Sequence, residues 1–102
     1  MRIYVSGQIT GTTDYMKRFA KAQKFLESCG HTVINPALVN SNLPPDTTYE
    51  EYMQMSLCML SMCEGIYLLP GYENSPGALR ELEYAKQNRI PIYGEIFIKS
   101  EV

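Results

Sequence analysis

Histidine and cysteine are nearly missing from this chain: one histidine and three cysteines in 102 residues. Cys29, Cys58 and Cys63 show no C-x-x-C spacing, and an odd count gives neither a disulfide framework nor a zinc knuckle. Free buried thiols in a reducing cytosol fit them best. His31 has no second ligand at metal spacing and no cysteine placed to form a nucleophile pair, so it reads as a structural or surface residue at the start of a strand. Long hydrophobic runs are missing too. The stretch from Met53 to Cys63 is interrupted by Gln54, Ser56 and Ser61, which excludes a membrane span, and Ile3-Tyr4-Val5 is too short for a signal peptide. The basic residues are scattered and the net charge is −2. That argues against a clustered basic face for a nucleic-acid polymer. A small phosphorylated ligand stays possible, because a helix N-terminus holds a phosphate without much positive charge. These absences predict a cytoplasmic protein, of a host cell or of a cell infected by a virus, with no membrane and no nucleic-acid polymer as partner.

What is present is an ordinary globular composition, 45% hydrophobic and 20% charged, sufficient for one domain over residues 1–102. Arg2 to Ser6 reads as a short central strand, followed by a loop of small donors from Gly7 to Thr13. Tyr15 to Ser28 reads as a helix capped by Thr12 or Thr13, with Asp14 in its first turn; Met16, Phe19, Ala20, Ala22, Phe25 and Leu26 form its apolar stripe and Gly30 its left-handed cap. His31 to Asn35 is a second strand stopped by Pro36. Asn35 to Asp46 reads as a proline-rich loop, long enough for a rim or lid over a site. Thr47 and Thr48, with Glu50 and Glu51 three residues on, offer two overlapping capping boxes for a helix to about Cys63. Its methionines read as a core face. Gly65 to Leu69 is an apolar, buried strand; Pro76 to about Asn88 a third long helix; Ile90 to Tyr93 a fourth strand broken by Gly94. Glu95 to Lys99 reads as a fifth short strand or a docking tail. The alternation predicts an α/β fold: a flavodoxin-like three-layer sandwich on a four- or five-stranded parallel sheet with right-handed crossovers.

In such a sheet a ligand binds beyond the carboxyl ends of the strands where strand order reverses. With the first strand central, the loops Gly7 to Thr13 and Pro70 to Gly77 meet there, and Tyr4 approaches Glu81. The segment Asn74-Ser75-Pro76-Gly77 is the strongest local signal: Ser75 caps a helix with Pro76 at its first position, and free N–H groups face an anion. Glu81 lies one and a half turns further in. A phosphate cradle with a carboxylate just beyond it suits chemistry on a nucleotide's sugar carbon. Each element also has a plainer reading. Ser6-Gly7-Gln8-Ile9-Thr10-Gly11 lacks G-x-G-x-x-G and G-K-[ST], which argues against dinucleotide binding and Walker-type hydrolysis, and a tight turn explains it as well as a ligand loop. Alone, Glu81 reads as a solvated helix glutamate and Ser75 as a simple cap.

Three motifs together resemble the nucleoside 2-deoxyribosyltransferase superfamily, which includes deoxynucleoside 5′-monophosphate N-glycosidases and short bacteriophage and bacterial proteins of unassigned function. They are Ile3-Tyr4-Val5-Ser6-Gly7-Gln8-Ile9-Thr10-Gly11, the run from Leu57 through Cys63-Glu64 into Ile66-Tyr67-Leu68-Leu69-Pro70-Gly71, and Ser75-x-Gly77-x-x-x-Glu81-Leu82-x-Tyr84-Ala85. The resemblance implies a homo-oligomer, a small-molecule nucleoside or nucleotide as partner, and no cofactor or metal. It implies Glu81 as the nucleophile that attacks C1′ to form a glycosyl–enzyme, ionised at neutral pH, and Tyr4 as the residue that orients it. Ser6, Gly7, Gln8, Gly11, Ser56, Gly71, Ser75 and Gly77 fall at substrate-binding positions. Departures are Ser56, where the family usually has an aspartate that helps protonate the departing base, Glu64 in place of aspartate, and Gln8 in place of proline. Two functions therefore stand open: N-glycosidic bond hydrolysis or transfer on a (deoxy)nucleoside or its 5′-monophosphate, or a weakly active or inactive nucleotide-sequestering protein of the phage-encoded kind.

Overall fold

The computed structural model describes residues 1–94. Nine elements follow in order: β1 (Arg2–Ser6), α1 (Tyr15–Ser28), β2 (Thr32–Ile34), α2 (Pro36–Ser41), α3 (Tyr49–Ser61), β3 (Gly65–Leu68), a 3₁₀ turn (Tyr72–Asn74), α4 (Pro76–Gln87) and β4 (Ile92–Gly94). The strands form one parallel sheet in the order β2-β1-β3-β4. Order therefore reverses between β1 and β3, the position where a doubly wound sheet opens a crevice. The architecture is the α/β sandwich expected from the alternation of elements; the tail expected from Glu95 to Lys99 lies outside the described residues.

The layers follow from the two-residue period of a strand. Ile3, Val5 and Tyr67 turn to one face and pack with Phe19, Ala22 and Leu26 of α1 and Ala37 of α2. Tyr4, Ile66 and Leu68 turn to the other and pack with Leu60, Cys63, Leu82 and Ala85 on the side of α3 and α4. Both faces of β1 and β3 are thus buried, as a central parallel strand requires. Ser6 shares a face with Tyr4 by the same period. That places two polar groups of β1 against α4.

Seven local expectations change. Of the three thiols expected to be buried only Cys63 is, and of the methionines expected on a core face Met55 and Met62 are exposed. The stretch 36–41, expected as loop, is a helix: the Asn35 side chain accepts from the N–H groups of Ala37 and Leu38, and Pro36 occupies the first helical position. Helix α1 begins from Asp14, whose side chain makes no cap bond and instead pairs with Arg18; the stripe on α1 also stops short, for Phe25 is 50% exposed. One capping box forms, not two. Thr48 and Glu51 bond reciprocally, whereas Thr47 donates to the Pro44 carbonyl. Gly94 does not break β4 but ends it in register with Leu68, where a Cβ would stand 2.7 Å from the Leu68 carbonyl oxygen. Residues Tyr72–Asn74 wind into a 3₁₀ turn started by Gly71 in the left-handed region (φ 87°).

Candidate active site

Helix α4 sets the site. Ser75 caps it by accepting from the Ala78 N–H, and Pro76 fills its first position. Its buried positions are Ala78, Glu81, Leu82 and Ala85, spaced three, four and seven apart, so Glu81 stands in the core stripe and not on the solvent face. Glu81 is 7% exposed. Its carboxylate accepts two hydrogen bonds from β1: the Tyr4 hydroxyl donates to Oε2, and the Ser6 hydroxyl donates to Oε1 at 2.7 Å. The two donors lie two residues apart on one strand, so one face of β1 grips both oxygens.

Burial dominates the electrostatics. It pushes the Glu81 pKa up to about 7, against the downward pull of the Ser6 and Tyr4 hydrogen bonds. Desolvation outweighs both donors, so the carboxylate ionises less readily at neutral pH than the sequence predicts. Tyr4 is buried as well, and burial together with the neighbouring Glu81 charge holds its phenol well above its usual pKa. It keeps its proton and serves as a donor. The Ser56 hydroxyl lies against the same phenol and pulls the other way.

Above Glu81 opens a cavity of about 410 Å³, the size of a small-ligand site. Of the residues singled out in the sequence, Gly7, Ser56, Ser75, Gly77 and Glu81 line it. Tyr4 and Ser6 lie behind Glu81 and act through it. Gln8, Gly11 and Gly71 are not among the lining residues. Gln8 folds back onto the Thr10 carbonyl, while Gly11 and Gly71 take left-handed backbone at turns. Gly7 is needed for packing: a Cβ there would meet the Leu69 side chain at 2.9 Å. Gly77 differs. A Cβ there would point toward Met53 Sδ at 3.4 Å, Tyr49 Oη at 3.7 Å and Ser75 Oγ at 3.8 Å, in the space over the first turn of α4.

A family model described as a domain of unknown function, DUF4406, matches residues 1–94. The chain belongs to that family. This DUF4406 chain also superposes on the 2-deoxyribosyltransferase of the psychrotolerant bacterium Bacillus psychrosaccharolyticus with a TM-score of 0.74 and 18% identity, over 92% of this chain and 71% of that one. The likeness is one of fold, and it matches the resemblance that the three sequence motifs carry. A search of curated proteins returned no match.

The DUF4406 cavity also holds residues that the motifs did not point to. Tyr15, Tyr49 and Tyr52 bring three phenol rings to its wall, and α2 brings Asn40. The Asn40 Oδ1 is buried with no hydrogen-bond partner among the described residues. At the rim, Arg80 stacks over the Tyr49 ring at 5.7 Å and pairs with Glu50 at 2.9 Å, joining the starts of α3 and α4. Arg18 joins the two loops of the crevice by donating to the Gln8 and Pro70 carbonyls. A signal for Tyr49 and Tyr52 was present in the sequence, since both follow the Thr48 cap on a helix leading into the site. Asn40 gave none while 36–41 read as loop.

Proposed function

We propose that this protein acts at the N-glycosidic bond of a (deoxy)nucleoside or its 5′-monophosphate, hydrolysing it or transferring the sugar, with Glu81 as nucleophile. The observation that carries the reading is the grip of Tyr4 and Ser6 on the two oxygens of a buried carboxylate at the edge of a cavity. A carboxylate so held has a fixed direction of approach, and the bonds compensate part of its desolvation. The sugar C1′ sits before Glu81, and the 5′-oxygen or phosphate reaches the first turn of α4 at Ser75 and Gly77. The base lies among the phenol rings. Attack at C1′ gives a glycosyl ester, which water or a second base resolves. The fold shared with a 2-deoxyribosyltransferase supports this reading. The motif resemblance adds a homo-oligomer to the proposal, for which light scattering is the measure: a monomer at assay concentration removes that part.

The test is base release from a panel of nucleosides and 5′-monophosphates, followed by chromatography. The expected result is release that Glu81→Gln abolishes. Release that survives this change overturns the assignment. A second reading, a nucleotide-sequestering protein without turnover, is favoured by Ser56, a buried hydroxyl in the cavity wall at a place suited to an acid. Thermal stabilisation by a nucleotide with no base released selects it.

A further inference from the structure

Cleavage of an N-glycoside puts an electron pair on the ring nitrogen of the base. A neutral base then needs a proton from the enzyme, whereas a base that already carries a positive charge leaves as a neutral molecule. Retaining chemistry on ordinary glycosides divides these duties between two carboxyl groups. Here Glu81 is the only carboxyl group among the described residues that line the cavity, and none of those lining residues is Lys, Arg, His or Asp. The other titratable groups facing it are the phenols of Tyr15, Tyr49 and Tyr52, with Tyr4 behind Glu81. Phenols and aliphatic hydroxyls such as Ser56 are weak acids at neutral pH. Glu81 must be ionised to attack, so it cannot donate the proton in the same step.

The same wall suits a cation. Among the described residues it offers one carboxylate and three aromatic rings, of which Tyr15 and Tyr52 remain open while Tyr49 carries Arg80 at the rim, where Glu50 pairs with the guanidinium. We infer that the preferred substrates are N-glycosides whose base is already cationic, the pyridinium and N-alkylated purine ribosides. The inference rests on the glycosidic reading given above. In the first step a Glu81 oxygen bonds to C1′ and the C1′–N bond breaks, its electron pair cancelling the charge on the ring nitrogen. In the second, the oxygen of water bonds to C1′, the ester bond returns its pair to Glu81, and the proton of water passes to the carboxylate or to solvent.

The test compares nicotinamide riboside, a permanent pyridinium cation, with inosine and guanosine, each corrected for uncatalysed hydrolysis. Release of nicotinamide that Glu81→Gln abolishes, with release from the neutral nucleosides lower by about 10²-fold or more, is the expected result. Between pH 5 and 8.5 the rate on the cation should rise to a plateau with no alkaline fall, since only an ionised carboxylate is required. Ser56→Asp should narrow the ratio by raising release from inosine about tenfold or more. That variant buries a carboxyl group, and the pH profile of the unaltered protein decides without it. Equal rates on inosine and the pyridinium riboside, or a bell-shaped profile, overturn the inference and leave Glu81 as nucleophile. No Glu81-dependent release from any of the three overturns the inference, and the glycosidic reading then falls or stands on the panel of nucleosides and 5′-monophosphates.

Discussion

Glu81 concentrates the consequences at the scale of single residues. Its pKa rises on folding from the usual 4.5 to about 7. Below the unfolded value both states hold the proton and the native state pays nothing for the site. Between the two values the folded protein keeps a proton that the unfolded chain has released, so stability falls as pH rises, and above about 7 the loss is complete. One pKa step is about 1.4 kcal/mol, so the full loss is about 3 kcal/mol. Urea denaturation of Glu81→Gln should show a variant more stable than its parent at pH 8 and close to it at pH 4; a parent that is the more stable at pH 8 refutes the account. Tyr4→Phe removes the hydroxyl donated to Oε2. The rising limb of the pH–rate profile should move to higher pH, and kcat/KM should fall about tenfold or more at neutral pH. The burial behind both predictions was visible in the sequence as the spacing of Ala78, Glu81, Leu82 and Ala85. It was obscured by residue type, because a helix glutamate is usually solvated.

At the scale of elements, the two short pieces that the sequence hid are the ones that finish the site. Helix α2 reads as loop because Pro36, Asn40, Ser41 and Asn42 favour turns, yet Asn35-Pro36 is a cap followed by a first-turn proline. Asn35 is 6% exposed and also donates to Gln23, so Asn35→Ala should cost about 1–2 kcal/mol in denaturant unfolding. It should also weaken ligand binding, since α2 carries Asn40 into the wall. The long helices and the four strands were legible from period and caps. Strand ends were not, because backbone pairing and not side-chain pattern decides where β4 stops. Gly77→Ala separates fold from site within one helix. Alanine suits a helical first turn and meets only the flexible Met53 thioether closely, so stability should stay within about 1 kcal/mol. The added methyl group fills the space over the α4 N-terminus, and the dissociation constant for a nucleoside 5′-monophosphate should rise about tenfold, read by calorimetry.

At the scale of the whole molecule, the order β2-β1-β3-β4 and its crevice followed from alternating elements and a short apolar opening strand. The approach of Tyr4 to Glu81 was legible in that topology; what could not be read was Ser6 as the second donor, since it is set by tertiary approach. Ligand binding should register globally. A nucleotide at about 100 times its Kd stabilises the native state by about 2.7 kcal/mol, enough to raise Tm by about 10 °C or more in a domain of this size. A differential scanning fluorimetry titration that moves Tm with no nucleoside or nucleotide would contradict a ligand cavity. Among the described residues no helix is long and apolar enough to cross a membrane.

The grip on Glu81 spans 77 and 75 positions of chain. While the protein is still being synthesised, Tyr4 and Ser6 have emerged long before the glutamate that they are to hold. A nascent chain on the ribosome therefore carries neither the dry carboxylate nor its perturbed acidity. That environment forms only when α4 docks on the first strand, so an unfinished or partly melted copy has a water-exposed glutamate of ordinary acidity.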